Sequence, residues 1–399
     1  MKLDAAAVKL LRDDTPGTRQ RLHFDNAGAG LMPRPVIDAI HRHIDLEAET
    51  GGYQAGHLRA EQIEQARADV ASLIGAQARN VAFTENATAA FAQALSSIEF
   101  HPGDVILTCA DDYVSNQIQY LSLASRLGLE VDRARSLPGG GLDLEDFELH
   151  LRRRRPRLVA LHHVPTNSGV VQPVEEVGRL CRELDVLFLL DACQSVGQLP
   201  LDVTRLHCDF LSATSRKFLR GPRGCGFLYA SDQVLKDGYH PLFIDLHGGR
   251  WIDEDVFRPV DDARRFENWE FAYALVLATG EAARYAQKVG LEAIAERNDH
   301  LAQSLREELV HLPRVNVMDL QAPRLAATVM IELPFAEGPE ALQEALFQRG
   351  INVSMSYREY ARVEFRAESD WVLRASPHYY NIGEEVGRFV AAIGDLLSK

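Results

Sequence analysis

The sequence predicts an α/β protein: a large three-layer domain with a mainly parallel sheet, followed by a smaller α+β domain. Short apolar segments alternate with amphipathic ones from about residue 80 to about residue 230, as in a parallel sheet covered by helices on both faces. After about residue 285 the order changes to a helix, strands near "AATVMIEL", "INVSM" and "WVLRAS", and a final helix. We therefore assign residues 21–285 to the large domain and residues 1–20 and 286–399 to the small one.

Seven segments of the first region have the length and apolar content of buried strands. They are "NVAFT" (80–84), "DVILT" (104–108), "LEVDRA" (129–134), "RLVALHHV" (157–164), "VLFLLDA" (186–192), "DFLSA" (209–213) and "GFLYA" (226–230). The stretches "ATAAFAQALSSI", "NQIQYLSLASRLG" and "VEEVGRLCRELD" between them have the apolar spacing of helices. Strands that alternate with helices predict three layers.

Composition excludes several classes of protein. The 399 residues are 46% hydrophobic and 25% charged, which is enough to bury a large core. The net charge of -14 opposes binding to nucleic acid or an anionic membrane, so neither is an expected partner. Acids and arginines interrupt every apolar run in the first 24 residues, which excludes a signal peptide or membrane span there. The expected location is the cytoplasm.

The cysteines argue against a disulfide framework. The chain has five, and none forms a CxxC pair: Cys109, Cys181, Cys193, Cys208 and Cys225. An odd number scattered through a long chain is typical of reduced thiols in a core. No metal site is expected.

Lysine is rare in this chain, and one lysine stands out. Only six occur, and Lys217 directly follows the strand "DFLSA" within "SATSRK". Desolvation and a neighbouring cation lower the pKa of such an amine, which frees it to form a Schiff base. Asp191 ends another strand, at the edge where open α/β sheets bind ligands. It is either the N-cap of a helix or the partner of a positive group such as a protonated pyridine nitrogen.

A third segment has the form of an anion site. "TENATAAF" reads as a strand, a short turn and a helix, so the N–H groups of Ala87 and Thr88, the Thr88 hydroxyl and the helix dipole would all face an anion. Taken alone, this pattern is also that of an ordinary helix start.

Together these segments resemble a known family. The ordered motifs "TENATAAF", "DDYVSN", "HVPTNSG", "DACQ", "SRKFLRGPRG" and "LRASPHYYN" are similar to those of the aminotransferase class V family of fold-type I pyridoxal-phosphate enzymes, particularly its cysteine desulfurase and selenocysteine lyase branch. The resemblance extends from "FDNAGAG" to the last helix. It implies pyridoxal 5'-phosphate as cofactor, a small amino acid as substrate and a homodimer.

The resemblance implies cofactor roles for the matching residues. Lys217 would hold the cofactor as a Schiff base and move the proton at the substrate α-carbon, while Asp191 would pair with the ring nitrogen. The other cofactor contacts would come from Gln194 and Asn167 at the phenolic oxygen, Tyr113 stacked on the ring, and Ala87, Thr88, Thr214 and Arg216 at the phosphate. For Tyr113, packing in the core is the alternative.

It also implies substrate contacts. Arg374 in "LRASPHYYN" would bind the α-carboxylate as a bidentate pair, with a surface ion pair as the alternative. Ala29 belongs to the small-residue loop "NAGAG" at that carboxylate, and Tyr53 lies in "LEAETGGYQAG". We expect both at the substrate.

The chain departs from the family at two places. Desulfurases take sulfur onto a cysteine in a loop before the "LRAS" strand, but "VSMSYREYARVEFRAESDWVLRAS" contains none. Trp269 and Glu270 replace a Gly-Thr pair that reaches the phosphate from the partner subunit. The chain is most similar to the hercynylcysteine sulfoxide lyase group and related C–S lyases, and isopenicillin N epimerase-like proteins share much of the pattern.

These observations predict a lyase that removes the β-substituent of a cysteine-derived amino acid. Transamination or epimerisation by the same site is the alternative, because both start at the same α-proton. A non-catalytic protein that has kept the fold is a further one. Cofactor motifs do not specify the substrate, so its identity stays open.

Overall fold

The computed structural model describes residues 3–398. Its helices are α1 (Ala5–Asp13), α2 (Asn26–Ala29), α3 (Arg34–Thr50), α4 (Gly52–Leu58), α5 (Ala60–Leu73), α6 (Ala87–Ser96), α7 (Val114–Leu127), α8 (Leu144–Arg154), α9 (Val174–Glu183), α10 (Val203–Leu206), α11 (Asp232–Lys236), α12 (Tyr273–Val289), α13 (Leu291–Leu309), α14 (Pro339–Gln348) and α15 (Gly383–Leu397). Its strands are β1 (Leu22–His23), β2 (Val81–Thr84), β3 (Val105–Cys109), β4 (Glu130–Ala134), β5 (Leu158–His162), β6 (Leu187–Asp191), β7 (Phe210–Thr214), β8 (Gly226–Ala230), β9 (Gly249–Asp253), β10 (Val256–Pro259), β11 (Asn316–Val317), β12 (Val329–Glu332), β13 (Ile351–Asn352), β14 (Ser354–Tyr357) and β15 (Trp371–Ala375).

The seven predicted strands are confirmed and form one sheet. Their order is β2-β8-β7-β6-β5-β3-β4. The pairs along β7-β6-β5-β3-β4 are parallel, whereas β8 runs antiparallel to both β2 and β7. The carboxyl ends of β5, β6 and β7 therefore meet at one edge of the sheet.

Side chains alternate between two apolar layers along the central strands. In β6, Leu189 packs in the layer that contains α6, while Phe188 and Leu190 pack in the layer on the other face. Burial on both faces explains why these segments read as continuous apolar runs rather than as alternating ones. The predicted three-layer architecture is confirmed.

The second sheet lies in the C-terminal part of the chain. Its order is β11-β12-β15-β14, with antiparallel pairing throughout. Apolar side chains from this sheet, α13 and α15 share a second core, which includes Leu305, Leu373 and Phe389. This is the smaller α+β unit that the sequence predicts.

The N-terminal segment contacts both cores. Val8 of α1 packs with the core of the large sheet, whereas Phe24 packs with the second core. Between them, β1 pairs in parallel with β13. Contacts thus cross the predicted boundary at residue 21 in both directions, and the exact domain boundaries stay a prediction.

Two further features concern residues 3–398. No helix in this range is long and apolar enough to cross a membrane. The same range contains no group of three or more His, Cys, Asp or Glu side chains placed to hold a metal ion.

Candidate active site

A cavity of about 360 Å³ opens at the carboxyl edge of the central strands. Register explains its position, because His162 of β5 pairs with Asp191 of β6, and Asp191 pairs with Ser212 of β7. The lining residues are Asn86, Ala87, Thr88, Tyr113, Asn116, His162, Val164, Thr166, Asp191, Cys193, Gln194, Thr214, Arg216 and Lys217. Ligands of open α/β sheets bind at this edge.

Most of the predicted site residues meet here. Eight of them line the cavity: Ala87, Thr88, Tyr113, Asp191, Gln194, Thr214, Arg216 and Lys217. They come from four separate segments of the chain, which the sheet order brings together. Their individual roles stay predictions.

Asp191 is a buried carboxylate with defined donors. Its Oδ1 accepts the Cys193 N–H at 2.9 Å, and its Oδ2 accepts the Asn116 side-chain amide at 3.1 Å. Burial acts to raise its pKa, but the His162 ring, the Cys193 N–H and the Lys217 amine outweigh it, so the pKa lies below its ordinary value. A charged carboxylate therefore faces the cavity, as a protonated ring nitrogen requires.

Lys217 is the buried amine of the cavity. The residue is only 7% exposed, and desolvation lowers the pKa of its ammonium. The thiol of Cys193 and the carboxylate of Asp191 raise that pKa, whereas Arg216 and Arg374 lower it further. A lowered pKa increases the fraction of free amine, which is the form that reacts with an aldehyde.

The Gln194 side chain is held by one hydrogen bond, and its amide oxygen remains an unpaired acceptor. Its Nε2 donates to the carbonyl oxygen of Ala27 at 3.2 Å. Its Oε1 is buried and has no hydrogen-bond partner among the residues that the structure describes. Because buried polar atoms are nearly always paired, a donor supplied by a bound ligand is expected at this atom.

The start of α6 forms the end of the cavity suited to an anion. The Asn86 side chain caps the helix by accepting the Ala89 N–H at 2.9 Å, which leaves the N–H groups of Ala87 and Thr88 at the cavity. Gly226 of β8 permits this placement, because a Cβ there would lie 2.8 Å from the Ala87 nitrogen. Any larger residue would push the helix start away from the sheet.

Arg374 lies just outside the lining. It is 7% exposed, and its Nε donates to Ser354 Oγ at 3.0 Å while its Nη1 donates to the Thr166 carbonyl at 3.2 Å. Its Nη2 lies 3.7 Å from Asp25 Oδ1, an oxygen with no hydrogen-bond partner within residues 3–398. The guanidinium is thus held rigidly and keeps donors for a second carboxylate.

Three other predicted residues also lie outside the lining. Asn167 follows Thr166 and is half-buried. Ala29, in α2, accepts a hydrogen bond at its carbonyl from His23 Nε2 at 2.8 Å, and the neighbouring Gly28 carbonyl accepts one from Arg216. Tyr53 is 74% exposed on α4, so this chain alone does not bring it to the cavity.

Sequence reasoning missed six lining residues, three of which lie around Asp191: Asn116, His162 and Cys193. Asn116 and His162 contact Asp191 from α7 and β5. The signal for His162 is a histidine at the end of a buried strand next to the strand that ends in Asp191, but strand order cannot be read from the sequence. Cys193 is partly buried, and burial together with Asp191 raises the pKa of its thiol far above the ordinary value.

The fold and the cavity define a fold-type I α/β enzyme, and comparison with known proteins gives the family. The family model described as "Aminotransferase class-V" matches residues 22–389, so the chain belongs to this family. A probable cysteine desulfurase of Pyrococcus abyssi is 30% identical over 400 residues, covering 97% of each chain.

Solved structures agree on the fold. The apo cysteine desulfurase of Thermococcus onnurineus NA1 superposes with a TM-score of 0.89 at 27% identity, covering 98% of each chain. The cystine C–S lyase C-DES, in complex with cysteine persulfide, gives 0.85 at 24% identity over 96% of this chain and 99% of its own. The predicted resemblance is confirmed.

Pyridoxal phosphate is the cofactor of this family, and the cavity fits it. The unpaired Gln194 oxygen, the charged Asp191, the buried Lys217 amine and the open helix start of α6 match its phenolic oxygen, ring nitrogen, aldehyde and phosphate in turn.

Proposed function

We propose that this enzyme is a pyridoxal-phosphate-dependent C–S lyase that removes the β-sulfur substituent of a cysteine-derived amino acid. One observation carries the proposal: the buried Lys217 amine lies in the cavity, the buried Arg374 guanidinium lies just outside its lining, and the Cys193 thiol in the cavity has a pKa raised well above its ordinary value. The site therefore combines a general base (Lys217), a cation that can bind a carboxylate (Arg374) and a protonated thiol (Cys193).

The cofactor supplies an electron sink for the carbanion formed at the substrate α-carbon. Lys217 accepts the α-proton at Nζ, for which its lowered pKa keeps a free amine available. Asp191 keeps the ring nitrogen protonated by remaining a carboxylate at its side. Tyr113 would stack on the ring, and the unpaired Gln194 Oε1 would accept a hydrogen bond from the phenolic hydroxyl.

Arg374 holds the substrate α-carboxylate. Its Nε and one Nη1 proton are committed to Ser354 and Thr166, so the guanidinium cannot swing away, and its remaining donors bind the two carboxylate oxygens. A clamp in this position fixes the α-carbon relative to Lys217, and such positioning contributes several kcal/mol, on the order of 7–11 in well-oriented systems.

Elimination is favoured over desulfuration by the state of the thiols. A sulfur acceptor must be a thiolate. Cys193 is the thiol that lines the cavity, and its raised pKa keeps it protonated. Residues 353–376, which follow β13, contain no cysteine. Relatives carry the name cysteine desulfurase, but this chain has no cysteine in the loop before the "LRAS" strand, where the family resemblance implies the sulfur acceptor.

The overall reaction balances without an oxidant. An S-substituted cysteine and one water give pyruvate, ammonium and the free thiol of the substituent. We test it by incubating the purified enzyme with S-substituted cysteines, cysteine sulfoxides and cystine, and measuring pyruvate and the released sulfur product. Free cysteine is the substrate that tests desulfuration: alanine with enzyme-bound persulfide instead of pyruvate would contradict the proposal, and Cys193→Ala would then identify the acceptor.

The same assay separates the alternative reactions. Conversion of the cofactor to its amine form, reversed by a keto acid, would identify a transaminase. Exchange of the α-proton with inversion and no keto product would identify an epimerase. Lys217→Ala is the control, because it removes the base from every one of these reactions.

We further propose that the enzyme works as a homodimer in the cytoplasm. Exposed apolar side chains on and near the β9–β10 hairpin support a surface that a second subunit covers: Leu242, Phe243, Leu246, Trp251, Phe257 and Trp269. All five cysteines are free, as is usual in a reducing compartment. Light scattering of the purified protein tests the dimer, and a monomer at micromolar concentration would contradict it.

A further inference from the structure

Behind Asp191 lies a second buried carboxylate, and one histidine stands between them. His162 is 2% exposed at the end of β5. Its Nε2 lies 3.0 Å from Oδ1 of Asp112 and 3.8 Å from Oδ2 of Asp191. Both aspartates are buried, so this imidazole edge faces the two acidic groups at once.

Two contacts of His162 Nε2 bear on which ring nitrogen carries the hydrogen. The Tyr113 N–H is shared between Asp112 Oδ1, at 2.7 Å, and His162 Nε2, at 2.9 Å. Nε2 also lies 3.0 Å from Asp112 Oδ1, where two acceptors without a hydrogen between them would repel each other, so we assign the hydrogen to Nε2. His162 Nδ1 is buried without a hydrogen-bond partner in the described part of the chain.

Asp112 is itself held in place. Its Oδ2 accepts the Thr108 hydroxyl and the Gln117 side-chain amide, each at 3.0 Å. Burial raises the pKa of Asp112, opposed by His162, the Tyr113 N–H and the Thr108 hydroxyl, whereas the pKa of Asp191 is lowered. Of the two buried acids, the one that faces the cavity holds its negative charge more firmly.

We propose that Asp112 and His162 are positioning residues that set the charge of the cofactor ring. Asp112 fixes His162 with its hydrogen on Nε2, and that N–H edge stabilises Asp191 as the carboxylate that keeps the ring nitrogen protonated. Asn116 supports the same oxygen from α7. Neither Asp112 nor His162 performs a step of the reaction. The inference rests on the cofactor site of the proposed function but not on the elimination reaction.

Other titratable groups surround Asp112, His162 and Asp191. Lys217 and Cys193 face Asp191 from the cavity side, Tyr120 approaches Asp112 from α7, and His163 neighbours His162 on the chain. All are unchanged in the variants below, except His163, which serves as a control.

The test is the ¹⁵N resonance of the ring nitrogen in enzyme loaded with ¹⁵N-labelled pyridoxal phosphate. Asp112→Asn places an amide against Nε2, which favours the hydrogen on Nδ1 and turns a lone pair toward Asp191. We expect the resonance to move from the protonated toward the neutral position in Asp112→Asn and in His162→Leu. His162→Gln retains an N–H donor and should restore part of the shift.

Matched controls lie next to each residue. Asp111→Asn removes a buried carboxylate that pairs with Ser168 and faces Arg366 instead of His162. His163→Leu removes a buried imidazole that does not line the cavity. Both should keep the wild-type resonance. We also expect Asp112→Asn to weaken cofactor retention about tenfold, the effect of one hydrogen bond to a charged group.

The outcomes are distinguishable. A wild-type resonance in Asp112→Asn, when Asp191→Asn moves it, overturns the inference. If Asp191→Asn does not move it either, the assignment of Asp191 to the ring nitrogen fails as well. Pyruvate release by the unmodified enzyme tests the proposed reaction independently. Should His162→Leu not fold, Asp112→Asn, which preserves size and shape, carries the test alone.

Discussion

Gly30 lies against the backbone of the cavity lysine. A Cβ at Gly30 would sit 2.5 Å from the carbonyl oxygen of Lys217, and the Gly30 N–H donates to the Arg216 carbonyl at 2.8 Å. The loop after α2 and the segment that carries Lys217 are therefore packed backbone to backbone. Only glycine permits this distance, because a real Cβ is almost never found within 3.0 Å of a heavy atom.

Gly30→Ala should therefore disturb Lys217 without touching its side chain. The methyl group meets backbone on the other side, which cannot rotate away, so we expect a loss of about 1–3 kcal/mol in the free energy of unfolding and weaker cofactor retention. Urea unfolding and cofactor absorbance measure the two effects. Gly383→Ala, where a Cβ would meet nothing within 4 Å, is the control and should lose neither.

Thr88→Val should weaken binding of the phosphate group specifically. Thr88 lines the cavity at the second position of α6, and the variant removes the hydroxyl while keeping the shape. We expect the Kd for pyridoxal phosphate to rise about tenfold, the effect of one hydrogen bond to a charged group. Binding of pyridoxal, which lacks the phosphate, should be unchanged. An equal loss for both compounds would place the phosphate elsewhere.

Arg374→Gln should raise KM for amino acids that carry an α-carboxylate. A buried charge pair is lost, so kcat/KM should fall at least about 30-fold. Arg374→Lys keeps the charge but not the bidentate geometry, and should recover only part of the loss. Binding of cysteamine, an amine without the carboxylate, is the matched measurement. If cysteamine binding falls as much as cysteine binding, Arg374 holds the fold and not the substrate.

Asp209→Asn should stabilise the protein more at neutral than at acidic pH. Burial raises the pKa of Asp209 to about 6, with Asp185 and Asp237 adding to it and the Phe188 N–H opposing it. Between the pKa of an unfolded aspartate, about 3.9, and the folded pKa of Asp209, the folded state binds more protons than the unfolded state. The free energy of unfolding therefore falls as pH rises through this interval and stays lower at higher pH. Removing the charge removes that loss.

Thermal unfolding at about pH 4 and about pH 7.5 measures the effect. The gain in Tm of Asp209→Asn over the wild type should be larger at the higher pH. Asp185→Asn removes only one of the nearby charges and should give a smaller change of the same sign. An equal gain at both pH values would mean that Asp209 titrates normally in the folded protein.

The sequence by itself determined the strands, the helices between them and the residues at the strand ends. Burial on both faces of a central strand is recorded locally as a continuous apolar run, which is why "VLFLLDA" was readable and why Asp191 could be placed at its end. The motifs around Thr88, Asp191 and Lys217 gave the family for the same reason: each is a short segment whose function depends on a local turn.

Only the tertiary structure decided which of these ends lie side by side. The sheet order puts β5 next to β6, so His162 reaches Asp191, and α7 turns Asn116 onto the same oxygen. It also made β8 antiparallel and left Tyr53 on the surface of this chain. Periodicity reports how deeply a residue is buried but not against what. Asn116 precedes Asp191 by 75 residues and His162 comes from another strand, so neither contact could be read from the sequence.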